Sequence, residues 1–360
     1  MSKSPIYGGW NDASAGGDFG PSIKAAGYDG VFVNGISKTP VYIFIDSGKA
    51  EIRDAENYWG LTCSEFEDAL NEDPEALIAM NHMCNEAGLD TIHVGGTLAW
   101  ALECFNEGVL TKEDLDGIAP TYGDAAAAVA LTKKICDMEG CGEILSQGSQ
   151  KAADHYGKGH SFLFVASGVE IAAHDPRRAP GYIRTYQLDP TPGRHTKGGL
   201  AKANDRMTKE LRFDYRVTGH HDVQEMCITE YINASGLCIF TARVFPGNTI
   251  YDAYKFITGN DIGMRELRFF GMRSFTMRWA FNLREGLRRE DFTVTDRMCG
   301  RPPLKGGPTA GVTLDEERLG DNFYNALGYY QNGTPYLDML LLTGGLECVI
   351  GDLYPPEEKR

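Results

Sequence analysis

Residues 81–117 read NHMCNEAGLDTIHVGGTLAWALECFNEGVLTKEDLDG, and their spacing sets the fold class. Upstream, a helical period begins at Pro74, with Ala79, Met83 and Cys84 on one face that ends at Gly88. A second helix follows from Asp90 through Leu98, Ala101 and Leu102 to Gly108. Further on, Ala128, Leu131, Ile135 and Met138 stripe a third helix, with Asp124 as its N-cap and a stop near Gly140. The 161–172 stretch, SFLFVASGVEIA, has strand composition. The Pro/Gly-rich run HDPRRAPGYIRTYQLDPTPGRHTKGG that follows is too aromatic for a linker and is expected to be a functional loop. Helices resume at Asp222 and again from about Asp261 to Leu287, with a loop at RPPLKGGPTAG before a last helical pair.

Before residue 74 the chain changes character. Tyr28 to Val33 and Val41 to Ile45 are β-branched or aromatic runs, and SGKAEIRDA turns back into a short strand. Gly16, Gly17 and Gly20 surround Asp18 and Phe19, a turn rather than a phosphate loop, because no G-x-G-x-x-G or G-K-[ST] accompanies them. The expected fold is α+β: a partial β-rich N-terminal domain over residues 1–72, then two mainly α-helical domains, 73–198 and 199–360.

Composition narrows the function classes. Of 360 residues, 42% are hydrophobic and 24% charged, with 35 basic against 50 acidic residues and a net charge of -15. That balance opposes a phosphate-tracking groove, so nucleic acid is not an expected partner. The opening MSKSPIYGGW has no charged n-region followed by an apolar run, and LDMLLLTGGLECVI is cut by Gly344, Gly345 and Glu347. The reading is a cytoplasmic chain with no membrane span. Nine cysteines without a C-x-x-C pair give neither a disulfide framework nor a zinc ribbon. Most are expected to be small buried hydrophobes.

Two segments echo each other: Asn85-Glu86-Ala87-Gly88-Leu89-Asp90 and Asn233-Ala234-Ser235-Gly236-Leu237-Cys238. Each falls where a helix stops at glycine, so a pair of left-handed C-caps would account for both. A paired ligand site would as well. His174 with Asp175 and Arg177 reads as a structural ion-pair cluster, and His220 and His221 as cap or surface residues.

Together with EGCGEIL (139–145), HDPRRAPG and NASGLCIF, the 81–117 segment resembles the aldehyde:ferredoxin oxidoreductase family of tungsten, sometimes molybdenum, bis-pterin enzymes. SAGGDFGPSIKAAGYDGVFVNGISKTPVYIFI (14–45) is similar to the later part of that family's β-rich first domain. The resemblance implies oxidation of a small aldehyde to a carboxylic acid at a tungstopterin or molybdopterin centre, with electrons passed through a 4Fe-4S cluster to ferredoxin. By position it places Asn85, Leu89 and Asp90 at one pterin, and Asn233 and Leu237 at the other. Both leading positions are Asn where the family has Asp, so the amide accepts without charge assistance. His195 matches the histidine beside the metal and Lys197 a pterin-contacting lysine. Ser14 matches the residue whose carbonyl helps hold the Mg ion between the pterin phosphates. Cys238 matches the fourth thiolate of the cluster, a metal ligand.

The family's other three thiolates come from a C-x-x-C-x-x-x-C run, and that run is absent: WGLTCSEFEDAL passes through NED straight to PEALIAMNHMCNEAG. The expectation is an internally shortened family member that also lacks the N-terminal strands. Such a chain binds no complete cluster alone. Three readings stay open: an oxidoreductase whose missing ligands come from a homo-oligomer or partner chain, a redox-incompetent pterin-binding paralogue, and a gene fragment without independent activity.

Overall fold

The structure is a computed structural model and describes residues 2–3, 6, 8–11, 23–33, 35, 37–39, 41–46, 48–54, 74–122, 124–172, 174–198, 213–239 and 249–355. Ser14 and Cys63 lie outside the described residues. The chain divides into two compact units, one formed by Met1–Asn11 with Glu72–Arg360, the other by Asp12–Asn71.

The smaller unit holds an antiparallel hairpin, which for the whole chain we number β3 (Val41–Asp46) and β4 (Lys49–Asp54), in register from Val41 opposite Asp54 to Asp46 opposite Lys49. Val41 to Ile45 and the returning SGKAEIRDA segment behave as their composition predicts. Tyr28 to Val33 does not: it takes no strand, and Phe32 and Val33 are exposed. An apolar run becomes a strand only where a partner strand receives its backbone bonds.

The larger unit is helical with a few two-residue strands. Among these, β1 (Ser2–Lys3) pairs with β2 (Trp10–Asn11). Five helices follow: α1 (Pro74–Glu86), α2 (Thr91–Asn106), α3 (Ala125–Asp137), α4 (Cys141–Leu145) and α5 (Ser149–Tyr156). They pack around Trp100, Ala101, Cys104, Leu131, Ile135 and Leu145, all buried. Asp124 caps α3 by accepting from the Ala127 N–H at 2.9 Å. Met138 leaves the expected stripe because it is itself the C-cap, left-handed at φ 51°, and is exposed.

Residues 161–172 form not one strand but a minimal hairpin, β5 (Val165–Ala166) and β6 (Val169–Glu170). Ser167 and Gly168 both take positive φ, 50° and 77°, the requirement of a type I′ turn. The expected loop after it contains α6 (Gly181–Leu188), of which seven of eight residues are buried. A helix buried all round has no polar face, and so no helical period for sequence reading to find.

The remaining helices are α7 (Thr218–Ala234), α8 (Thr249–Thr258), α9 (Met264–Arg284), α10 (Glu316–Leu327), α11 (Leu337–Thr343) and α12 (Glu347–Leu353). His220 and His221 sit inside α7, which starts earlier than Asp222, and both are exposed. An aromatic core of Phe275, Trp279, Phe323, Tyr324 and Tyr329 joins α7, α9 and α10. Trp279 donates its indole N–H to the Gly333 carbonyl at 2.7 Å, so the buried ring keeps its polar edge satisfied.

Candidate active site

The two N-x-x-G-L segments end their helices in the same way. Gly88 at φ 70° accompanies bonds from Leu89 N to Cys84 O and from Gly88 N to Asn85 O; Gly236 at φ 71° accompanies Leu237 N to Ile232 O and Gly236 N to Asn233 O. Both are Schellman caps, which need a residue tolerant of positive φ at the turn and expose the side chain two positions before the cap. That side chain is Asn85 in one and Asn233 in the other, each exposed.

Beyond the cap the segments diverge. Asp90 Oδ1 accepts the backbone N–H groups of Ile92 and His93 at 2.9 and 3.0 Å, capping α2. Leu89 and Asp90 line a cavity of about 120 Å³, whereas Leu237 lines a separate one of about 440 Å³ with Tyr231, Tyr254 and Phe270. Cys238 is exposed.

The structure brings Asn233, His195 and Lys197 together. Asn233 Nδ2 donates to the Thr196 carbonyl at 3.4 Å, which ties the end of α7 to the His195–Lys197 turn. Lys197 is buried with its ammonium 3.8 Å from Glu230, one turn before Asn233 on α7. His195 lies 5.1 Å, ring to ring, from His174, whose other face stacks on Tyr182 at 5.2 Å and 5°. Tyr186 extends that stack and donates to the His174 carbonyl at 3.2 Å; burial pushes its phenol well above the usual range, so it stays a neutral donor.

Beneath this turn is a network of buried charge that sequence reasoning did not single out. Arg278 on α9 bonds Asp189 Oδ1 at 3.0 Å and also donates to Glu230. Glu230 Oε2 accepts from Ser274 at 2.5 Å. Arg184 on α6 is wholly buried, 3.8 Å from Asp222, with its guanidinium 4.3 Å from the Phe323 ring centre. Among the described residues its three guanidinium nitrogens have no hydrogen-bond acceptor. Nothing in the sequence sets these five, Arg184, Asp189, Asp222, Glu230 and Arg278, apart from the other charged residues of the same segments.

A cavity of about 580 Å³ is lined by Thr91 and Ile92, directly after Asp90, and by His174, Asp175 and Arg177. Its volume falls within the ordinary range of small-molecule sites, about 300–1,000 Å³.

Burial pushes the thiols of Cys84 and Cys141 up to about 11, and those of Cys104, Cys227 and Cys299 to about 12. Among the described residues no group of three or more His, Cys, Asp or Glu could hold a metal ion, and no helix is long and apolar enough to cross a membrane.

Comparison with known proteins follows the same lines. The family described as aldehyde ferredoxin oxidoreductase, domains 2 and 3, matches residues 47–341. The tungsten-containing aldehyde ferredoxin oxidoreductases of Pyrococcus furiosus and Thermococcus kodakarensis are 30% and 28% identical over 297 residues, covering 79% of this chain and 47% of theirs. The WOR-like subunit of an aliphatic sulfonate oxidoreductase from Pyrococcus furiosus is 26% identical over 314 residues. The chain spans about half the length of the curated relatives it matches. Among solved structures, the active site complex BamBC of benzoyl coenzyme A reductase, in complex with 1,5-dienoyl-CoA, shares the fold with a TM-score of 0.51 at 20% identity, over 84% of this chain and 50% of that one.

Proposed function

The chain belongs to the aldehyde ferredoxin oxidoreductase family, and from that premise we propose that it serves the oxidation of an aldehyde to a carboxylic acid at a tungsten or molybdenum bis-pterin centre, with ferredoxin as electron acceptor. The observation that carries this reading is the pair of identical Schellman turns presenting Asn85 and Asn233. A primary amide offers both donors and an acceptor, the complement of a pterin edge. Next to the His195–Lys197 turn, buried Arg184 has guanidinium nitrogens without an acceptor among the described residues, a donor set that suits an acceptor-rich group, and a Cβ on Gly198 would lie 3.0 Å from its Nη2.

When bound, the pterin metal centre supplies the two-electron redox chemistry. Leu89 and Leu237 give each turn an apolar wall. Asp90 fixes the start of α2 with one carboxylate oxygen and keeps the other for a donor. Lys197, held by Glu230, brings positive charge toward an acceptor-rich ligand, and Ser14 offers its carbonyl to a Mg ion. His195, backed by His174, holds or moves a proton at its ring nitrogen. Cys238 contributes one thiolate of a 4Fe-4S cluster. In this reading the other ligands come from a homo-oligomer or partner chain, because this sequence lacks the C-x-x-C-x-x-x-C run. The partial β domain over 1–72 and helical domains over 73–198 and 199–360 remain the domain reading that goes with this function.

Anaerobic purification followed by tungsten, molybdenum, iron and pterin analysis tests it. Tungsten or molybdenum with pterin is expected, and Asn85→Asp with Asn233→Asp should raise the retained amount, since each carboxylate adds charge assistance. Metal and pterin without iron would favour the paralogue that binds pterin but passes no electrons. Absence of both metal and pterin from the wild type and the double variant would refute the proposal.

A further inference from the structure

The cavity lined by Thr91 and His174 has a definite chemical character. Trp100, Phe162, Phe164 and Ile171 supply its apolar walls. Trp100 cannot swing away, because its indole N–H is bonded to the Gly159 carbonyl at 3.0 Å. Two arginines stand at the walls, each beside an aromatic ring: Arg177 is 5.7 Å from the centre of Phe164, and Arg297 is 5.7 Å from that of Phe162.

Each arginine already has a carboxylate partner. Arg177 makes a bidentate pair with Asp175 at 2.9 and 2.8 Å. Arg297 makes one with Glu103 at 2.7 and 2.6 Å, and spends a further bond on the Phe162 carbonyl at 2.9 Å. Glu170 adds a third carboxylate; it is 4% exposed and accepts from Ser149 N, Ser149 Oγ and Thr97 Oγ at 2.6, 2.8 and 3.0 Å. The walls therefore hold three carboxylates against two guanidiniums. A carboxylate entering this space meets an excess of negative charge; a neutral ring meets aromatic side chains.

We infer that this cavity is the substrate pocket, and that it selects neutral aromatic aldehydes over aldehydes carrying a carboxylate. The inference rests on the function proposed above and narrows its substrate class. The same charge balance favours release of the product: oxidation turns a neutral occupant into an anion, which the three carboxylates repel. His174, which lines the cavity and touches His195, places the aldehyde end next to the proposed proton carrier.

Gly95 gives the test. It lines the cavity from α2, and a Cβ there meets no atom within 4 Å, so there is room at its base for a larger side chain. Leu is also the better helix former, so Gly95→Leu should not unfold the chain. Binding is read first, by 19F NMR of 4-fluorobenzamide and 4-fluorobenzoate, which needs no loaded metal. The wild type should bind the neutral amide and not the benzoate. Gly95→Leu should weaken the amide at least about tenfold, the scale on which a filled apolar pocket discriminates. Glu103→Gln, which frees Arg297, should let the benzoate bind. In metal-loaded protein Gly95→Leu should raise KM for benzaldehyde about tenfold or more. Equal binding of amide by wild type and Gly95→Leu, or tighter binding of benzoate than amide by the wild type, would overturn the inference even if acetaldehyde is oxidised. Amide binding lost in Gly95→Leu in a chain that never acquires metal or pterin would instead leave the pocket standing and overturn the oxidoreductase reading.

Discussion

Arg278→Met is the most direct probe of the charge buried beneath the site. The arginine side chain is 7% exposed, and its partners Asp189 and Glu230 are 0% and 4% exposed. Methionine keeps the aliphatic stem's packing and removes only the cation. Glu230 then retains Lys197 at 3.8 Å and the Ser274 hydroxyl, but among the described residues Asp189 keeps only the Thr191 N–H, at 2.9 Å, in a fully buried position. Breaking one side of a buried ion pair costs about 3–5 kcal/mol, much of it the desolvation of the charge left behind. At about 2–4 °C per kcal/mol for a large domain, the midpoint should fall by roughly 6–20 °C in a thermal scan of the intact chain. The mechanism makes a second demand. Adding Asp189→Asn removes the stranded charge while keeping an oxygen for Thr191, so the double variant should recover most of the loss. A fall equivalent to less than about 1 kcal/mol, or a double variant no more stable than Arg278→Met alone, would refute the argument that stranded charge sets the cost.

Two further outcomes follow from individual side chains. His195→Ala should abolish aldehyde oxidation with a viologen acceptor in metal-loaded protein while moving stability by no more than about 1 kcal/mol, because the ring sits half-buried on a turn rather than in a core; retained turnover with a large drop in midpoint would make the histidine structural. Asp116 accepts the Cys141 N–H at 2.7 Å and the Lys134 ammonium at 2.9 Å, which hold its carboxyl below the ordinary 3.8. A depressed folded pKa contributes stability that is full above 3.8 and is lost as pH falls through the folded value. The gap between wild type and Asp116→Asn in urea unfolding should therefore be constant from pH 7 to about 5 and close only below 3.8; a gap that widens on acidification would contradict it.

What was legible in the sequence was local. Asp124 and the glycines at 88 and 236 announced helix ends because a cap is decided by a few residues and their φ angles. Val41 to Ile45 was legible as a strand because its partner lies across a short turn. The signals that failed were those needing distant partners. The helix at 181–188 is enclosed on all sides, so its Tyr, Thr and Arg residues looked like loop composition. Ser167–Gly168 carried a hairpin signal, yet strands of two residues gave too little alternation to mark two of them. Arg278, Glu230 and Asp189 meet only because α7, α9 and the end of α6 pack together, and no spacing along the chain encodes that.

The candidate site shows the same division at finer grain. The matching turns at Gly88 and Gly236 satisfy the capping explanation with backbone bonds alone, and Asn85 and Asn233 are exposed. Capping and ligand presentation are therefore not competing explanations: a Schellman turn is a rigid way to hold one polar side chain at a helix end, and two copies hold two. What differs between the copies is the residue after leucine. Asp90 uses one carboxylate oxygen to start α2, so its turn is braced from both sides. Cys238 is exposed after its own turn. The first copy is built to position, and the second keeps a side chain suited to ligate, a distinction that follows from the chemistry of one residue in otherwise matching geometry.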